Sequence, residues 1–274
     1  ANMRILEKLI PQVFAGSQYA NRMPIGTMDI VMNFPYQTLK DYYHKWYRPD
    51  LQGIIIVGDI DADKTEKKLK EIFNTIPKPE NAAERIYYTV PDNKEPIIAI
   101  AKDKEATGSQ VTVYYKHKPM TKELKATIAG IAGIYLKSVT SMMLNDRLKE
   151  ISEKPNAPFM SAYSYDANFI VSKTMDAFTT MAVSKEGETQ KALKALLQET
   201  ERVNRFGFTE SEYERAKANL LSMIESMYKE REKQKNNSYV EEYVSHFTDG
   251  GSICGIETDY MLLNKVAAST GIEQ

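Results

Sequence analysis

Cysteine is nearly absent from these 274 residues: Cys254 stands alone, so no intramolecular disulfide can staple the fold. Such a residue is better read as a small, buried or half-buried hydrophobe than as a nucleophile. Histidine is also sparse, and His44, His117 and His246 lie far apart in the chain. No excess of charge of one sign exists either. The 36 basic and 37 acidic residues leave a formal net charge of -1, too little field to attract nucleic acid or an anionic membrane. No apolar run reaches the roughly 18 residues of a membrane span. Phosphate-cradling glycine loops are missing, and serine, cysteine and histidine show no local nucleophile pattern. No leader peptide is visible. The chain enters helical sequence directly at Ala1, as expected of a segment cut from a longer parent.

What is present is enough apolar material, 42% of residues, for one large or two medium domains with real cores. The 13 methionines fit core packing. The most ordered stretch runs from Phe34 to Ile76. Leu39, Tyr42, Tyr43, Trp46 and Tyr47 recur at helical spacing and give an aromatic face. Pro49 ends that helix. Gly53 to Gly58 is a β-branched run between glycines, expected to be a buried central strand. Asp59, Asp61 and Asp63 supply turn and cap oxygens rather than a calcium loop, because the glycine and terminal glutamate of such a loop are missing. The helix they open is expected to bury Leu69, Ile72, Phe73 and Ile76.

Before this stretch, residues 3–14 read as a helix ended by Pro11, and residues 19–27 as a loop. After it, a proline-rich segment from Pro77 places a boundary near residues 77–92. We expect residues 1–80 to be the closing part of a first domain, 81–92 a linker, and 93–274 the opening part of a second. Residues 96–101 and 111–115 read as strands, and 121–151 as one long helix in which Gly130 and Gly133 permit close approach to the sheet. Strands at 159–165 and 175–183 and a helix at 185–205, with Leu193, Leu196 and Leu197 inward, follow. Thr209-Glu-Ser-Glu212 is a capping box for a helix to about Lys235. Strands in pairs separated by helices predict an α+β fold, mixed or antiparallel sheets covered by helices.

Several of these residues carry a resemblance. Tyr43-His-Lys-Trp-Tyr-Arg-Pro-Asp50 followed by Gly53-Ile-Ile-Ile-Val-Gly-Asp-Ile-Asp61 resembles the "YRPDN…VVVGDVD" block of the insulinase/pitrilysin metallopeptidases. Phe14 to Thr27, ending Pro-Ile-Gly-Thr, is similar to the segment that precedes that block. Met143 to Ile151, the following strand pair and the run Thr209-Glu-Ser-Glu-Tyr-Glu-Arg-Ala-Lys217 look like the opening half of the family's second domain. The resemblance spans roughly residues 12–250. It implies a metallopeptidase-domain-like (LuxS-like, processing-peptidase-like) fold. It also implies a segment bridging two homologous domains of a long bacterial member.

In that family His-x-x-Glu-His binds zinc, with the glutamate as general base. None of the three histidines sits in such a motif. Glu7 is displaced from the family's further glutamate ligand and lacks histidine partners. The resemblance therefore implies zinc in the full-length parent and neither metal nor catalytic residues in this segment. The second domain of typical members offers an arginine and a tyrosine, seven positions apart, to the substrate. Here those places fall on Ser152 and Phe159, with Asn156 shaping the loop between them. Ser152, Asn156 and Phe159 are thus the candidate substrate contacts, although Phe159 reads more readily as a strand residue of the core than as a contact.

The function so implied is scaffold and substrate-chamber wall of a zinc-dependent endopeptidase acting on peptides or unfolded polypeptides. The alternative is a non-catalytic peptide-binding or assembly module. Expected partners are the polypeptide substrate, the remaining domains of the parent and, through unpaired sheet edges, further copies of the segment. The resemblance implies the bacterial periplasm.

Overall fold

The computed structural model describes residues 1–274. Helices α1 (Asn2–Val13), α2 (Met28–Asn33), α3 (Tyr36–Trp46) and α4 (Ala62–Phe73) come first, then strand β1 (Ser109–His117). The short α5 (Lys122–Lys125) and the long α6 (Ile128–Ser152) lead to the hairpin β2 (Ser161–Asn168) and β3 (Asp176–Ser184). Helices α7 (Thr189–Phe206), α8 (Glu210–Lys229), α9 (Asn236–Asp249) and α10 (Ile256–Ser269) complete the chain. No helix is long and apolar enough to cross a membrane.

Two compact units form. The larger comprises residues 1–23, 87–229 and 254–274, the smaller 24–86 and 230–253. The larger unit is α+β, as expected: a three-stranded antiparallel sheet, order β1-β3-β2, with Ser109 opposite Ser184 and Ser161 opposite Val183. Helix α6 sits at its centre because it is apolar on more than one face. Leu144 and Leu148 pack with Phe159, Ala182 and, from α7, Ala192 and Leu196. Tyr135, Val139 and Met143 pack instead with Tyr213, Ala216 and Leu220 of α8 and Val266 and Ala267 of α10. A third cluster seats α1 on the sheet through Ile10, Phe14, Phe169 and Ala177, with the Phe14 and Phe169 rings 4.9 Å apart. Arg4 of α1 grips Asp103 through two bonds of 2.7 and 2.8 Å.

In the smaller unit, Arg48 is buried and donates to the Ala83 carbonyl at 2.6 Å. Phe247 of α9 lies over Gly53, where a Cβ would stand 3.2 Å from the ring. Asp61 caps α4 by accepting from the Lys64 amide at 3.0 Å, as its position before the helix predicts.

Several expectations are corrected. Residues 54–57 and 96–101 are not strands, and Ile54 (52% exposed) and Ile98 (80%) face outward. A β-branched run becomes a strand only where a neighbour takes its backbone hydrogen bonds, and the sheet holds three other segments. Consequently the stripe on α4 is open as well, with Ile72 and Phe73 exposed, as is Ile76 just past the helix. Pro11 lies inside α1, in its last turn, and does not end it. The helix expected over 121–151 is broken at 126–127, where Thr127 caps α6 by accepting from the Gly130 amide at 3.1 Å. The close approach at Gly130 is to the α5 backbone and not to the sheet: a Cβ there would fall 2.2 Å from the Leu124 carbonyl oxygen. Leu197 is exposed where an inward position was expected.

Candidate functional site

The candidate loop is built by the end of α6 and the start of β2. Ser152 closes α6 by donating its hydroxyl to the Lys149 carbonyl at 2.7 Å. The chain then turns, with the Ala157 amide bonded to the Lys154 carbonyl at 3.0 Å, and joins the sheet through the Met160 amide and Val183 carbonyl at 2.8 Å. Asn156 is exposed on this turn and Ser152 half-buried. Phe159 is fully buried between α6, β3 and α7. The structure thus brings the three residues to one loop but sends Phe159 inward as its anchor. The next side chain, Met160, lies just before β2 and is outward at 65% exposure. Reading along the motif pointed to Phe159 and passed over its exposed neighbour Met160.

Behind the loop lies a buried ionic cluster. Arg147 of α6 reaches Glu212 of α8, Glu199 of α7 at 3.2 Å and the Gly207 carbonyl at 3.1 Å. Its guanidinium carbon stands 4.6 Å from the centre of the Phe208 ring. Hydrogen bonds from Arg147, and from the Thr209 amide and hydroxyl, hold the Glu212 carboxyl down at about 2 against the cost of burial. The same carboxylates raise the Arg147 guanidinium further above its ordinary range. The cluster is tightly self-satisfied, which suits structure and not turnover.

A shallow groove in the larger unit runs along α7 beside the outer strand β1, lined by Tyr115, Phe178, Leu193, Leu197, Val203 and Phe206. The Tyr115 hydroxyl is 3.0 Å from that of Thr200 at its floor. The histidines have separate settings. His117 pairs with Asp166 at 2.9 Å, His246 contacts the Gly251 carbonyl at 2.6 Å, and His44 lies edge-on to Tyr43. No three His, Cys, Asp or Glu side chains converge as a ligand set.

The larger unit is thus an α+β layer, an antiparallel sheet covered by helices, whose ionic cluster at Arg147 is paired within itself. The chain belongs to the M16 peptidase family, matching the peptidase M16 inactive domain over residues 33–220. It is 29% identical over 248 residues to an Arabidopsis thaliana protein named "Zinc protease PQQL-like", covering 90% of this chain and 22% of that protein. All of the chain superposes on 30% of the periplasmic protease PqqL of Escherichia coli, with a TM-score of 0.80 and 18% identity. It superposes likewise on 30% of a mutant of the ferredoxin protease FusC in complex with Arabidopsis ferredoxin, with a TM-score of 0.78 and 19% identity. The chain therefore spans less than a third of each of these three proteins.

Proposed function

We propose that this chain serves as scaffold and substrate-chamber wall in a longer zinc-dependent endopeptidase that hydrolyses peptides or unfolded polypeptides. The match of residues 33–220 to the family's inactive domain carries this reading. It is supported by the names of the relatives, zinc proteases of greater length, and by the lack of His-x-x-Glu-His in the sequence. In this reading zinc is bound elsewhere in the parent, where it activates the attacking water, and the present residues shape the space around the substrate. Ser152 and Asn156 are the polar contacts offered to a polypeptide, with Phe159 seating their loop from beneath. Residues 1–80 and 93–274 are parts of two homologous domains joined by 81–92, and the remaining domains of the parent are the partners. The periplasm is the proposed location.

A second reading has one observation in its favour: the family description that fits is that of an inactive domain. The whole parent is then a peptide-binding or assembly subunit. Zinc content and casein hydrolysis, measured on this segment and on the full-length parent side by side, separate the readings. A zinc-loaded, active parent beside a metal-free, inactive segment is expected. A parent without zinc or activity favours the second reading, and stoichiometric zinc or activity in the segment overturns both.

A further inference from the structure

On the reading that this chain is part of a longer peptidase, we propose that the outer edge of β1 is a docking site for the rest of the parent. An extended stretch of the parent polypeptide from outside residues 1–274 adds there to the three-stranded sheet as a further strand.

Backbone geometry makes this edge a binding surface. The Phe169 amide bonds to the Met175 carbonyl at 2.9 Å, so odd-numbered residues of β3 turn their N–H and C=O groups to β2 and even-numbered ones to β1. On β1 the partners of those even-numbered residues include Val111, Val113 and Tyr115. Gln110, Thr112, Tyr114 and Lys116 therefore direct their backbone groups away from β3, where the sheet has no strand. A neighbouring strand is the partner that takes up such a row.

The two edges of the sheet are treated differently. In the middle of β2 the outward residue is Ser164, and the Asn145 side chain of α6 occupies its edge. Nδ2 of Asn145 donates to the Ser164 carbonyl at 3.0 Å, and Oδ1 accepts from the Ser164 amide at 2.6 Å. One side-chain amide thus fills the place of a neighbouring strand's peptide group. β1 has no such guard. It contains no proline, and its regular pairing from Ser109 to His117 leaves no bulge. Its one lysine, Lys116, is engaged with the Pro91 carbonyl at 2.8 Å. Proteins use such devices to protect edges that stay in water, and their absence marks β1 as an edge covered in the finished protein.

The groove beside β1 favours a stretch of the parent over a passing ligand. Tyr115 faces α7, and Leu197 and Phe206 of α7 line the same groove, Phe206 at 78% exposure. Apolar side chains at alternate positions of an incoming strand fall onto this floor. Left bare between substrate encounters, an unguarded edge with an apolar groove invites aggregation. A tethered stretch is always present at high effective concentration. The relatives are long enough to supply one, since this chain accounts for less than a third of each.

Hydrogen exchange resolved to single amides, on this chain and on the full-length parent, tests the assignment. In this chain the amides of Thr112, Tyr114 and Lys116 are expected to exchange freely and those of Val113 and Tyr115 slowly, an alternation that general burial does not produce. In the parent the outward amides are expected to slow by about a hundredfold or more. Outward amides equally fast, or equally slow, in both samples overturn the proposal. So does slowing that appears in the parent only with added unfolded polypeptide, which assigns the edge to substrate. Slowing only at raised parent concentration assigns it to a second copy and overturns the proposal as well. Zinc content and hydrolysis are measured on the same parent sample. Fast outward amides in an active parent are a failure of the edge pairing alone, and slow ones in an inactive parent a failure of the peptidase reading alone.

Discussion

Arg147 and Glu212 form a two-pronged ion pair between α6 and α8, with Nη2 to Oε2 at 2.8 Å and Nε on the other oxygen. Glu212 also accepts from the Thr209 amide at 2.7 Å, so one carboxylate closes the capping box of α8 and holds the helix to the core. Arg147→Met leaves the partly buried Glu212 without its cation and the buried Glu199 with only Arg202, at 3.5 Å. Its expected cost is about 3–5 kcal/mol in a urea unfolding midpoint.

The same pair sets a dependence on acid. Glu212 binds its proton less readily folded than unfolded, so its contribution is present above about pH 4.5 and is lost as pH falls toward about 2. Arg147→Met is expected to flatten that part of the stability profile, while Asp103, which Arg4 holds well below the carboxylate range, keeps its share. Chemical denaturation at stepped pH reads both.

Gly130 and Gly133 respond differently to a methyl group. At Gly130 the added atom meets the Leu124 backbone, whereas at Gly133 it meets only Met120 Cε at 2.9 Å, the free end of a flexible chain. Gly130→Ala is expected to destabilise by about 1–3 kcal/mol. Gly133→Ala is expected to cost less, because a better helix former offsets a small shift of Met120. Thermal melts of the two variants side by side test the order.

Anchor and contact separate at the candidate loop. Phe159→Ala removes a fully buried ring and is expected to cost about 3–5 kcal/mol. Asn156→Ala, at an exposed position, is expected to leave stability within about 0.5 kcal/mol. If the loop meets polypeptide in the parent, Asn156→Ala raises KM for peptide hydrolysis there. An unchanged KM removes Asn156 from the substrate wall.

Unpaired apolar runs favour association. Strands β1 and β2 are both outer strands, and Ile98 and Ile100 are strongly exposed just before β1. Light scattering is expected to show an apparent mass that rises with concentration, and the Ile98→Lys, Ile100→Lys double variant to lower it. A constant monomer mass at every concentration would contradict this.

Much of the larger unit was legible because its signals are local. The box at Thr209 to Glu212, the alternation along residues 175–183 and the apolar spacing of α7 each reflect neighbours a few residues apart. The candidate loop was legible only in part: Ser152 and Asn156 lie between the helix and the strand that the periodicity marked, but burial of Phe159 depends on Leu144 and Leu196, far away in sequence. The strand expected at 54–57 failed for the same reason, since a strand is a relation between two segments.

By itself the sequence determined the α+β class through its periodicity, the lack of a zinc motif through its histidine pattern, and the family through motif blocks that resemble it, because all three are properties of residues and their spacing. Only the tertiary structure decided that α1 packs on the β2–β3 hairpin through Phe14 and Phe169, that Arg147 joins three helices, and that His117 faces two acceptors. Those contacts join residues 49 to 155 positions apart or depend on a side chain's direction, and packing geometry sets both.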